Sequence, residues 1–179
     1  MTKEEDYKKA KEFSLNLLKR AGIIITKKEE ENMEVTDLGL GNIFETGIQI
    51  VVYVNTERVC AKELMLLPNQ TCPQHRHPPI NGEPGKEETF RCRYGEVYLY
   101  VPGDPTPNPR AKPPKSREKY YTVWHEIILK PGDQYTLAPD TWHWFQAGPE
   151  GAVVSEFSTT SRDEYDVFTD PDIIRVAEG

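Results

Sequence analysis

The stretch Pro73–Gly95, PQHRHPPINGEPGKEETFRCRYG, decides how the rest of the chain is read. His75 and His77 are separated by one residue, so in extended backbone, where side chains alternate between faces, both imidazoles project to the same side. Glu88 opens a second alternating run, with Phe90, Cys92 and Tyr94 on its face, ahead of Gly95, where a turn is expected. Two imidazoles and a carboxylate form a donor set of borderline hardness that suits Mn, Fe, Co, Ni or Zn and leaves coordination positions open. The stretch therefore predicts a metal site carried on strands.

The flanking sequence supports a β-rich reading. After Asp37, glycines punctuate segments rich in Val, Ile, Tyr and Phe. Strands are expected over 48–54, 61–67, 87–94, 96–101, 120–129, 134–138, 143–147 and 152–158, a rhythm that implies a sandwich or small barrel. Two long connections interrupt it, Pro78–Lys86 inside the metal stretch and Pro102–Lys119, and long loops on a rigid scaffold are where function tends to sit. Before Asp37 the pattern is helical. Thr2 and Glu5 make a capping box, and Tyr7, Ala10, Phe13, Leu17 and Ala21 recur at helical spacing up to Gly22. Thr26 and Glu29 repeat the capping signal ahead of a short, solvated acidic helix. The expected organisation is a helical appendage over 1–37 and an all-β domain over 38–179, together one structural domain.

Composition narrows the function classes. A chain of 179 residues holds one sizeable core. Its net charge of −7 argues against a phosphate-backbone partner, so no nucleic acid is expected and a small neutral or cationic ligand fits better. Cys60, Cys72 and Cys92 have neither disulfide-like nor metal-like spacing, which suits a reducing compartment. The charged N-terminal residues do not resemble a signal peptide, and no apolar run approaches 18 residues. A cytoplasmic protein with no membrane partner is expected.

A barrel brings distant strands together, so the fourth metal ligand should come from downstream. His143 is the candidate, following the Pro131-Gly132 and Pro139-Asp140 turns. Here the chain resembles the cupins, jelly-roll β-barrels whose two motifs read roughly G-x5-H-x-H-x(3,4)-E-x6-G and G-x5-P-x-G-x2-H-x3-N. Asn69 replaces the opening glycine, five residues precede His75, and six separate Glu88 from Gly95, but ten separate His77 from Glu88. In the second motif Ala138, Asp140 and Ala147 replace the proline, second glycine and asparagine. The blocks over 52–79, 85–101, 121–129, 142–161 and 168–171 further resemble cupin-type D-lyxose ketol-isomerases. That resemblance implies one divalent metal, Mn(2+), held by His75, His77, Glu88 and His143. It also implies a homodimer that interconverts D-lyxose with D-xylulose and D-mannose with D-fructose.

Such a reaction moves a hydrogen between C1 and C2. The enediol route needs a base, an acid and a cation for the developing oxyanion. Glu156, alone among small and apolar neighbours, is the candidate for the proton shuttle, and alternation puts it on one face with Val154 and Ser158. Lys86 is the candidate to polarise a sugar oxygen, while Phe90, Trp142 and Trp144 are candidate walls for sugar C–H faces. His125 has no partner pattern and is expected to be structural. The first alternative is a cupin phosphosugar isomerase with Arg76, Lys86, Arg91 and Arg93 clustered at the mouth; the second is a non-catalytic sugar-binding cupin.

Overall fold

The computed structural model describes residues 2–175. Two helices precede the sheet: α1 (Lys3–Arg20) and α2 (Lys27–Glu31), each with the capping box that its Thr and Glu predict. Nine strands follow among the described residues: β1 (Glu34–Thr36), β2 (Ile48–Asn55), β3 (Cys60–Leu66), β4 (Thr71–Arg76), β5 (Glu88–Val101), β6 (His125–Leu129), β7 (Gln134–Leu137), β8 (His143–Ser158) and β9 (Val167–Phe168). They form one curled sheet in the order β1-β2-β3-β8-β4-β9, and β5 pairs with β6, β7 and β8.

Two expected turns are absent. The segments 87–94 and 96–101 are one strand, β5, and 143–147 and 152–158 are one strand, β8. Gly95 does not reverse the chain: its φ of +71° makes a kink at which the β5–β8 register shifts. The kink faces Gly151, also at positive φ, and a Cβ on Gly95 would overlap the Gly151 carbonyl oxygen. Glycine at both positions lets two long paired strands bend sharply, which curls the sheet into a barrel. The expected strand over 120–129 shortens to β6, because Tyr120 ends a 3₁₀ turn and the Gln74 side chain accepts the backbone N–H groups of Thr122 and Val123. Asn69 and Asp140, where the cupin motifs carry glycine, do take positive φ of 58° and 60°.

Alternation along the strands sorts residues into layers. Inside the barrel, Ile50, Leu64, Phe90, Leu99, Phe145 and Val154 belong to one core. Outside, Leu17 and Leu18 of α1 pack on Val51, Met65 and Val153, so the apolar stripe of the helix is spent on its own sheet. Under the long loop, Trp144 stacks on Tyr100 at 4.0 Å and 11°.

Replacing Gly95 by Ala should lower unfolding free energy by about 1–3 kcal/mol from backbone conformation alone, with the Gly151 overlap adding to it. Urea unfolding of the variant would measure the loss.

Candidate active site

Pairing of β4 with β8 puts His75 opposite His143, with ring centroids 4.3 Å apart. His77 lies one residue past the end of β4, 5.0 Å from the His75 ring and 5.4 Å from that of His143. Each Nδ1 has an oxygen partner: the Pro73 carbonyl for His75 at 2.7 Å, the Thr141 carbonyl for His143 at 2.9 Å, and Asp166 Oδ1 for His77 at 2.5 Å. A carbonyl oxygen only accepts, so His75 and His143 carry their proton on Nδ1 and present an Nε2 lone pair. One nitrogen from each of the three rings lies within 4.8 Å of the others. The His143 Nε2 is buried and makes no hydrogen bond, although Glu88 Oε1 is 3.1 Å away. Orphaning a buried acceptor is costly. Here it is aimed at the space that two further imidazoles share, an arrangement that a divalent metal ion fits.

Glu88 and Glu156 stand on neighbouring strands, β5 and β8, and both side chains turn inward. Lys86 joins them. Its ammonium lies 2.8 Å from Glu88 Oε2 and 3.0 Å from Glu156 Oε1, with the lysine only 9% exposed. Burial disfavours its charge, but Glu156 and Glu88 outweigh that and raise the lysine pKa well above its ordinary value. Burial likewise pushes Glu88 up, and Lys86 and His77 overcome it, holding the carboxyl well below the usual range. Burial and Lys86 work against a charged His77, yet Glu88 and Asp166 raise it to about 9. Burial dominates at His75, whose pKa falls well below normal. Four carboxylates (Glu88, Glu156, Asp163, Asp166) line the chamber with Lys62, Lys86, Arg175 and His77, a ring of alternating charge.

The chamber is small, about 50 Å³, and opens through His77, Lys86 and Asp166 into a vestibule of about 800 Å³. One vestibule wall is the Pro78–Lys86 connection. Its tip is a two-residue hairpin in which Ile80 and Glu83 exchange backbone hydrogen bonds of 3.0 and 2.9 Å around Asn81 and Gly82, both at positive φ. At its base Gly85 sits against the His77 carbonyl, where a Cβ would not fit. The other wall is a C-terminal strap, residues 159–168, which carries Tyr165 and Asp166.

Of the residues anticipated from sequence, His75, His77, Glu88, Lys86, Glu156 and Phe90 line the chamber and His143 adjoins it. Trp144 does not: it alternates with the inward His143 and Phe145 and packs in the outer cluster, its indole N–H donating to the Val123 carbonyl. Trp142 lines neither space and lies beneath the Arg76 guanidinium, 5.0 Å away. The expected cluster of Arg76, Lys86, Arg91 and Arg93 does not form, although Arg58, Lys86 and Arg162 line the vestibule. Arg76 pairs with Asp140, Arg91 donates to Gln134, and Arg93 is exposed and donates to Ser155 on the outer face. His125 Nδ1 meets the Asp104 carbonyl at 3.1 Å, far from this centre. The residues missed are Lys62, Asp163, Asp166, Phe168 and Arg175. Strand alternation could have found Lys62, two residues from inward Leu64. The others sit in a segment without periodicity.

In shape, the barrel matches sugar isomerases. The L-ribose isomerase of Acinetobacter sp. DL28 superposes with a TM-score of 0.79 at 18% identity, covering 94% of this chain and 93% of that one. That of Cellulomonas parahominis gives 0.77 at 17%, covering 94% and 92%. This likeness establishes a cupin-like fold. In sequence, a family model described as D-lyxose isomerase matches residues 115–178. The D-lyxose/D-mannose isomerase of Thermosediminibacter oceani is 62% identical over 99% of this chain and 98% of its own length. The D-lyxose ketol-isomerase of Cohnella laeviribosi is 56% identical over 96% and 94%. The chain belongs to the D-lyxose isomerase family.

Asp163 Oδ2 accepts from Lys62 at 2.9 Å and from Arg175 at 3.0 Å. Burial raises its pKa, but Lys62 and Lys86 dominate and depress it strongly. A depressed carboxyl stabilises the fold above its unfolded pKa, and that contribution is lost as pH falls toward the folded value. Asp163→Asn should therefore melt at a lower temperature than the wild type at pH 7, with the gap narrowing as pH drops below 3.8. Calorimetry across pH would check this.

Proposed function

We propose that this chain is a metal-dependent aldose–ketose isomerase that interconverts D-lyxose with D-xylulose, and D-mannose with D-fructose, through an enediol. The observation that carries the reading is the convergence of three imidazole nitrogens in a chamber that also holds the Lys86–Glu156 pair. The sugar-isomerase relatives support the reaction class, and the Thermosediminibacter oceani relative, by its description, supports mannose as well as lyxose. His75, His77, Glu88 and His143 would hold one divalent ion, Mn(2+). When bound, that ion supplies Lewis acidity for the sugar oxygens.

The protein's own groups account for the proton. Glu156 takes the C2 proton of the open-chain aldose, a second proton passes from O2 to O1, and Glu156 returns its proton to C1. Lys86, kept as an ammonium by its two carboxylate partners, is not the base. It fixes Glu156 and offers positive charge next to the oxygen that gains electron density. Phe90, paired with Glu156 across β5 and β8, gives an apolar floor for C–H groups. The narrow chamber excludes water from the reacting carbons, and the vestibule receives the rest of the sugar. We further propose a cytoplasmic homodimer. For the phosphosugar alternative, Arg91 and Arg93 bond on the outer face and Arg76 is paired, which leaves Lys86 with Arg58 and Arg162 at the vestibule.

Chelation should abolish conversion of lyxose to xylulose, and added Mn(2+) should restore it; full activity in metal-free protein would refute the metal role. Glu156→Gln should lower kcat by about 10²-fold or more while Mn(2+) binding is retained. Ketose-to-aldose conversion in D2O should put deuterium at C2 of the aldose. Complete retention of protium together with a fully active Glu156→Gln enzyme would remove Glu156 from the chemistry.

A further inference from the structure

Around the chamber, one contact belongs neither to the metal-ligand set nor to the proton shuttle. Asp166 is the last residue before β9, and its Oδ1 lies 2.5 Å from His77 Nδ1. His75 and His143 take their Nδ1 partners from carbonyls two residues earlier in the chain, so their ring orientation is fixed locally. The partner of His77 comes instead from a segment 89 residues later in the chain. His77 also lies just beyond the end of β4, where strand pairing no longer fixes its backbone. The Asp140 N–H donates to its carbonyl at 3.2 Å and Glu88 Oε1 lies 3.1 Å from its Nε2, so the strap is what holds the Nδ1 side of the ring.

The strap has its own attachments. β9 pairs with the end of β4, setting Phe168 opposite His75 and Val167 opposite Arg76. The Thr169 N–H donates to the Gln74 carbonyl at 3.2 Å, and its hydroxyl donates to the Tyr120 carbonyl at 2.6 Å. Asp163 is tied to Lys62 and Arg175. The β9 pairing and the Thr169 N–H end on β4, the strand that carries His75, and Lys62 lies on β3 beside the chamber.

We propose that Asp166 is a positioning residue that couples docking of the C-terminal strap to metal retention. By accepting from His77 Nδ1 it makes that ring an Nε2 donor and turns it toward His75 and His143. Coupling of this kind is reciprocal: if the docked strap favours the metal, the metal favours the docked strap by the same factor. Asp166 also lines both the chamber and the vestibule, so the residue that orients the ligand stands at the sugar's entrance.

The inference rests on the metal-site reading above, and its test uses Mn(2+) binding rather than turnover. Mn(2+) affinity would be measured by chelator competition in the wild type, Asp166→Ala and Asp166→Asn. Hydrogen exchange at residues 167–169 would be followed with and without Mn(2+). The wild type should show slower exchange in the strap when Mn(2+) is bound. Asp166→Ala should bind Mn(2+) about 10–100-fold more weakly, and its strap should exchange at the same rate with or without the ion. Asp166→Asn, which keeps a neutral acceptor for Nδ1–H, should recover most of the affinity, an outcome that a general loss of stability would not give. Alanine binding within about twofold of wild type, or wild-type strap exchange indifferent to Mn(2+), would overturn the proposal. If Asp166→Ala fails to fold, the wild-type comparison still decides. Failure of the wild type to bind Mn(2+) would instead defeat the metal reading itself, taking this proposal with it.

Discussion

The antiparallel pairing of β5 with β8 is the constraint on which the rest of the protein depends. Both strands are long, and each carries a glycine at positive φ where the two bend together. On one side of the bend the pair is filled by Val97, Leu99, Phe145 and Ala147 and builds the closed end of the barrel. On the other side a shifted register sets Phe90 opposite Glu156 and Glu88 opposite Ser158, and charge replaces hydrocarbon. A one-residue slip would send Glu156 to the outer face and bring Ser155 or Phe157 inward, so core and chamber are specified together.

Within that frame the buried charges are mutually dependent. Removing Lys86 would leave two carboxylates facing each other in a site almost shut off from water, a situation that costs several kcal/mol per uncompensated ion. Its ammonium therefore stabilises the ionised form of Glu88, and the two carboxylates in turn keep it protonated. A buried ion triad is poor value as a source of stability. It is intelligible here as a way of holding a carboxylate ready beside a place where positive charge is expected.

The residues that were legible in the sequence are those governed by local periodicity. The HxH pair, Glu88 and Glu156 follow from alternation, and the α1 and α2 boundaries follow from their capping boxes. The errors have separate physical sources. Gly95 reads as a turn and 148–151 as a gap between strands, because sequence does not distinguish a glycine that ends a strand from one that lets it bend. Trp144 was read as a sugar wall from proximity to His143, although adjacent residues on a strand face opposite ways. Asp163, Asp166 and Phe168 were invisible because they reach the chamber through an irregular segment whose position is set by tertiary contacts alone. The cupin resemblance brought in His143 as fourth ligand but gave no hint of the strap.

The Asn81-Gly82 hairpin has a consequence for how this barrel can diversify. Because Ile80 and Glu83 satisfy each other's backbone groups, the tip asks nothing of the barrel for its own folding, while Gly85, locked against His77, marks the point beyond which change is not tolerated. The entrance thus behaves as an exchangeable module on an invariant mount. Lengthening or replacing the four residues at the tip alters the rim of the vestibule without moving the three histidines or the Lys86–Glu156 pair, so selection can reshape the entrance and leave the chamber as it is.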